Sequence, residues 1–206
     1  MSATLVLDSG VSRQLVRERK EKGIDGHDEV WEGIYVMSPE ANLEHQDLAM
    51  DFANIFSEVV KKAGLGRVHA GANVSDRRTN WKKNYRVPDV VVVLHGGRAE
   101  DCDTHWLGGP DFLVEIEGPD DDIEKKLPFY SKVGVRELLI VDRDARSLRL
   151  LRQAGGTLVL AGHSELGTAA WLASEVLPLA FRRRANRSKP HIEVKRTDGK
   201  SGHWII

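Results

Sequence analysis

Val87-Pro88-Asp89-Val90-Val91-Val92-Val93-Leu94 and, after a glycine-containing loop, Phe112-Leu113-Val114-Glu115-Ile116-Glu117 are the runs whose reading decides the fold. The valine run is apolar at successive positions, which marks a strand covered on both faces. Pro88 has no N–H to donate, so it belongs at the start of that strand or on an edge. In the second run, strand alternation sends Glu115 and Glu117 to one face and Ile116 to the other. Two carboxylates at the end of an apolar strand are costly unless something pairs with them. A divalent cation would pair with both, since Mg²⁺ is usually held by one or two carboxylates together with waters and phosphate oxygens. Asp89, behind Pro88 on an adjacent strand, offers a further ligand. The blander alternative is that these acids are solvated strand ends.

Outward from this centre, residues 120–133 read as a helix with acids in its first turn, where the helix dipole favours them. Pro128 conflicts with that helix and predicts a kink, because it removes a backbone bond. Ile123, Leu127 and Tyr130 mark the inner face, and Lys126 borders it at helical spacing. Asp122, four residues earlier, could pair with Lys126; alone, Lys126 would read as a snorkelling surface lysine. Strands follow over 137–142, 148–153 and 157–161, the last two joined by Gly155-Gly156. On the other side, residues 43–63 form the clearest helix, with Leu48, Phe52, Ile55, Phe56, Val59 and Val60 at helical spacing and Gly64 closing it. Residues 29–37 alternate around Gly33 as a hairpin or edge strand that Pro39 stops, 11–22 are helical, 67–75 strand-like, and 76–84 a basic turn carrying Trp81. Helix and strand alternating, then a meander, imply an α/β fold with a mixed β-sheet flanked by helices.

The 206 residues suit one domain with a real core. No apolar run is long enough for a membrane span, residues 1–8 lack the features of a signal peptide, and the lone Cys102 fits a reducing cytoplasm. Net charge is −1, unevenly spread: 182–200 carry eight Lys or Arg against two acids, so this segment is +6 and the rest −7. A basic segment on an acidic body suggests either a nucleic-acid arm or a solvated terminus. The expected organisation is an N-terminal helical extension (1–28), a central domain (29–181) and a basic C-terminal tail (182–206). His95, Asp101, Cys102, Asp103 and His105 are metal-ligand residue types, but their spacing matches no zinc pattern. Gly108-Gly109-Pro110 reads as loop punctuation. Trp81, among basic residues, reads as packed under a loop or as a stacking platform for a base.

Several spaced motifs resemble the Uma2 family, a bacterial group of restriction-endonuclease-like proteins with the PD-(D/E)xK nuclease fold. They are Glu32-Gly33, Met37-Ser38-Pro39, His45-Gln46, Pro88-Asp89, Glu115-x-Glu117, the block from Lys126 to Asp142, and Ser174-Glu175-Val176-Leu177-Pro178. They occur in the family's order over 29–178. The resemblance implies a restriction-endonuclease-like core whose active-site carboxylates match Asp89 and Glu115. In the general nuclease motif the lysine stands two residues after the second acid, where this chain has Glu117. In Uma2-like proteins it lies on the next helix, at the position of Lys126. The family usually carries an apolar residue where Glu117 stands, so Glu117 is an added metal ligand or a mark of an altered site. Pro128 is also unusual there. His45 matches a recurring family histidine and, with Asp122, is expected to line the cleft.

What the resemblance implies is a Mg²⁺- or Mn²⁺-dependent endonuclease acting on DNA. Asp89 and Glu115, with Glu117, would hold the metal, and Lys126 would orient the attacking water. Cleavage of both strands would suit a homodimer. The competing reading is a catalytically inactive nuclease-fold module for nucleic-acid binding or regulation. Glu117, Pro128 and the acidic body point that way, because phosphate binding needs positive charge.

Overall fold

The computed structural model describes residues 4–38, 41–119, 121, 123–168, 170–186 and 189–206. Pro39, Asp120 and Asp122, to which the sequence assigned a strand end, a helix start and a cleft position, lie outside the described residues. At the centre is a six-stranded sheet. Its spatial order is Thr157–Ser164, Leu148–Ala154, Glu137–Asp142, Phe112–Glu117, Val90–Leu94, Gly66–Ala70. Phe112–Glu117 runs parallel to Glu137–Asp142 and antiparallel to Val90–Leu94, so the sheet is mixed as expected. The parallel pair needs a crossover, and helix α3 (Leu127–Val133) supplies it.

Alternation along the central strands divides the core in two. Val90, Val92, Val114, Ile116, Leu139 and Val141 pack under α2 (Leu43–Phe56) and a four-stranded sheet. Val91, Val93, Leu113, Leu138 and Ile140 pack under α3 through Phe129 and Tyr130. The long helix forms as its periodicity predicts: Asn42 caps its N-terminus by accepting from the His45 N–H at 2.9 Å. Its last turn widens into a π-helical segment, Ser57–Lys61, that keeps Val59 and Val60 buried.

Several expectations are revised. The stretch expected as one strand over 86–94 is two, Tyr85–Arg86 and Val90–Leu94, which lie in different sheets. Val87-Pro88-Asp89 is the passage between them, where a residue without an N–H is tolerated. The helix expected over 120–133 is also divided, into a 3₁₀ turn (Ile123–Lys125) and α3, with Lys126 at the N-cap. Pro128 then falls in the first turn, whose N–H groups have no intrahelical acceptor, and no kink is needed. Gly109 is more than punctuation: a Cβ there would stand 2.2 Å from the Val135 nitrogen and 2.3 Å from the Gly134 carbonyl carbon. Its absence lets the loop lie on the end of α3.

The segment expected as a basic tail contributes strands Leu179–Arg184, His191–Arg196 and His203–Ile205 to the four-stranded sheet, next to Leu172–Ala173. Phe181, Ile192 and Val194 are fully buried in the α2-side core. At the other end, α1 (Ser9–Glu21) is tied in by Arg19, whose Nε donates to Asp28 at 2.6 Å. The expected 29–37 hairpin is present as Glu29–Trp31 and Ile34–Met37, inside a seven-stranded sheet of short strands. No described helix is long and apolar enough to cross a membrane.

Candidate active site

Asp89 stands where the chain leaves one sheet for another. The antiparallel pairing of Phe112–Glu117 with Val90–Leu94 ends at Val114 opposite Val90. Beyond it the Ile116 N–H has no strand partner, and Asp89 Oδ2 accepts it at 2.7 Å. The same oxygen lies 3.3 Å from His45 Nε2, at the start of α2. Burial pushes the His45 imidazole down, but its hydrogen bond to Asp89 and the charges of Asp89, Glu115 and Asp121 outweigh that and raise its pKa.

Glu115 shares the α3 side of the sheet with Leu113, as alternation requires, and is 6 % exposed. Lys126 Nζ donates to both of its oxygens at 3.2 Å, and the Tyr130 hydroxyl donates to Oε1. Burial is the largest influence on Glu115; with the nearby Asp89 and Glu29 charges it prevails over Lys126 and lifts the carboxyl to about 7. Burial also disfavours the Lys126 ammonium, yet Glu115, Glu29 and Asp89 together hold its pKa above the ordinary lysine range. The two carboxylates that Lys126 contacts thus favour its charged form.

Glu29 is the residue that sequence reading missed. It is 2 % exposed and opens the hairpin. Its Oε1 accepts from Lys126 Nζ at 2.9 Å and from the Val87 N–H at 2.9 Å, and its Oε2 accepts from Trp31 Nε1 at 2.6 Å. One carboxylate thus links the hairpin, the Val87-Pro88-Asp89 passage and the lysine. Tyr130, read as an inner-face residue, was not foreseen as a partner of Glu115. The available signal was a buried-face hydroxyl one turn after Lys126.

Glu29, Asp89, Glu115 and Lys126 line a cavity of about 250 Å³ together with His45, Glu117, Asp121 and Arg143. All the sequence-predicted site residues within the described chain therefore meet in one place. Glu117 is held at the rim, 3.4 Å from Arg149 NH2 and accepting from the Ile123 N–H; burial raises its pKa, with Arg149 opposing. Among the described residues, no group of three or more His, Cys, Asp or Glu side chains is spaced as a metal cage. The 95–105 loop holds none either: Asp101 pairs with Arg67, and His105 Nε2 donates to the Arg77 carbonyl at 2.9 Å while its ring stacks on Trp81 at 4.9 Å. Trp81 is therefore packed against protein.

A mixed sheet crossed by α3, with buried acids and a lysine converging at the strand ends, defines the restriction-endonuclease-like class of α/β proteins. A family profile described as "Putative restriction endonuclease", Uma2, matches residues 24–186. The chain belongs to the Uma2 family. A solved structure from Anabaena variabilis ATCC 29413, titled a "putative nuclease belonging to DUF820", superposes with a TM-score of 0.57 at 18 % identity, covering 71 % of this chain and 80 % of that one. At that identity the likeness is one of fold. No curated protein matches the chain.

Proposed function

We propose that this chain is a divalent-metal-dependent endonuclease that hydrolyses DNA phosphodiester bonds. The observation that carries the reading is the buried set of Asp89, Glu115 and Lys126 on one cavity wall, with Lys126 Nζ 3.2 Å from Glu115. Membership of a family described as restriction endonucleases supports a nuclease.

The donor set fits a hard cation. Glu29, Asp89 and Glu115 set three carboxylates against one ammonium, and Glu115 is pushed up to about 7 in consequence of its burial and of that excess charge. Carboxylate oxygens suit Mg²⁺ or Mn²⁺, and Mg²⁺ takes only one or two from protein. Asp89 and Glu115 would hold it, and Glu117 would join on leaving Arg149. When bound, the metal supplies a more acidic water and offsets charge on the phosphoryl oxygens. Lys126 orients the attacking water and adds positive charge where the transition state gains negative charge. Glu29 and Tyr130 keep Lys126 and Glu115 in place. Two copies related by a two-fold axis would reach both strands of a duplex, and the lone Cys102 fits work in the cytoplasm.

The test is nicking of supercoiled plasmid with Mg²⁺, Mn²⁺ or EDTA by the wild type, Asp89→Asn and Lys126→Met. Metal-dependent nicking that falls by about 10²-fold or more in the folded variants is the expected result. Equal nicking in EDTA, or by Asp89→Asn, would sink it. Absence of nicking by a folded wild type would favour the inactive binding module, a reading supported by the engagement of both Glu115 oxygens by Lys126 and Tyr130.

A further inference from the structure

We infer that the outer face of the C-terminal sheet, built around Trp171, Arg182, Arg184 and Lys195, holds the phosphate backbone of a nucleic acid. The inference deepens the nuclease reading by locating part of its substrate surface, but it is tested by binding alone.

Strand alternation decides which side chains form this face. Phe181 and Val194 are opposite one another and fully buried, so Arg182 and Arg184 on one strand and Lys195 on the next point away from the core. Arg182 pairs across the strands with Glu193, and Lys195 lies opposite Ala180. Measured along the strand direction, the three cations stand at levels two residues apart, about 6.6 Å, with Lys195 one strand to the side of Arg182 and Arg184. Successive phosphates of an extended strand present charge at a comparable interval.

The way the cations are held points to an anion. The Arg182 guanidinium lies 4.4 Å and the Lys195 ammonium 4.2 Å from the centre of one indole, Trp171. Each contact is favourable, but sharing one ring keeps two like charges close together, which an external anion would relieve. The acid on this face, Glu193, is 2 % exposed and pairs with both Arg182 and Arg184, so one carboxylate stands against these two guanidinium groups and Lys195, and the group keeps a net positive charge. With cations on the ring, Trp171 serves as their spacer, and recognition is of backbone charge in place of base stacking.

The opposite face of the same strand contacts the turn after Arg143, a residue that lines the cavity. Arg183, on the same strand, donates from Nε to the Ala145 carbonyl at 2.9 Å. Arg146 lies 2.8 Å from Glu44, which also pairs with Lys189 and immediately precedes His45. Lys189, Lys195 and the last two strands lie beyond residues 24–186, outside the match to the family.

The experiment is fluorescence anisotropy of a labelled duplex, in EDTA to exclude cleavage, at several salt concentrations. Lys195→Gln should weaken binding and make the slope of log affinity against log salt shallower by about 0.9 for a lost phosphate contact on duplex DNA. Lys195→Glu should weaken binding further, Lys195→Arg should retain it, and Lys20→Gln on α1 should leave it unchanged. If folded Lys195→Gln and Lys195→Glu bind with wild-type affinity and slope, the inference is overturned. It is overturned equally if inorganic phosphate at the same charge concentration competes as well as unlabelled duplex, since the face would then be a simple anion site. Because the assay reads binding in EDTA, its outcome is separate from the plasmid-nicking test, and failure of either leaves the other standing.

Discussion

Lys126→Met is the perturbation that most directly probes how the site is held. It retains the length and apolar stem of the side chain and removes the charge. Glu29 and Glu115, whose side chains are 2 % and 8 % exposed, then face each other without their shared cation. Removing one partner of a buried ion pair costs about 3–5 kcal/mol, because a charge is left uncompensated. The Lys126 side chain is 20 % exposed, so water recovers part of the loss and the lower end, about 3 kcal/mol, is expected. For a chain of this size that lowers Tm by about 6–12 °C. Urea unfolding at neutral pH in EDTA measures it, and the double variant with Glu115→Gln should be more stable than the sum of the single losses by about 1–3 kcal/mol. A Lys126→Met protein within about 1 kcal/mol of the wild type, with no coupling to Glu115→Gln, would refute the description of Lys126 as the cation that holds two buried acids together.

Other outcomes follow from the same geometry. Tyr130→Phe removes a buried donor to Glu115 and should destabilise by about 1–3 kcal/mol, read by the same urea curves; a neutral effect would show the hydroxyl to be dispensable. Gly109→Ala puts a methyl 2.2 Å from the Val135 backbone nitrogen, so the loop must lift from α3 at a cost of about 1–3 kcal/mol, seen as a lower Tm; wild-type Tm would contradict the close approach. Glu193 is disfavoured as an anion by burial, but hydrogen bonds and charge from Arg182 and Arg184 win and hold its carboxyl below the ordinary range. A depressed folded pKa contributes stability that is complete above the unfolded value, about 4.3, and is lost as pH falls through the folded value. Glu193→Gln should therefore be less stable at neutral pH and show a flatter loss of stability below about pH 4; an unchanged pH profile would rule that contribution out.

The central strands and α2 were legible because their signals are local. Val90–Val93 and Phe112–Val114 are apolar on both faces, and Leu48, Phe52, Ile55 and Phe56 repeat at helical spacing. The same locality explains the convergence of Asp89, Glu115 and Lys126, which depends on neighbouring strands and the crossover between them. Glu29 was not legible, because its partners lie across a sheet that forms from short, distant segments, and nothing in Glu29-Val30-Trp31 distinguishes a buried carboxylate from a strand-end one. The break before Lys126 was signalled by Pro128, whose meaning changes once the helix starts at residue 127. In the C-terminal segment, Ile192 and Val194 alternate with polar residues as a strand should, but the run of Arg182, Arg183 and Arg184 dominated the reading. Charge density describes the outer face of that sheet and is silent about the inner one.

The triple attachment of Glu29 has a consequence for when the site comes into being. A chain that has formed the central sheet and α3 already has Glu115, Lys126 and Tyr130, all from one stretch of sequence. It lacks Glu29 until the N-terminal hairpin closes onto Val87, a contact of long sequence separation and so of high entropic demand. Until that contact forms, Lys126 is held by only one of its two carboxylate partners. The geometry of the site is then coupled to closure of the N-terminal hairpin onto the central sheet.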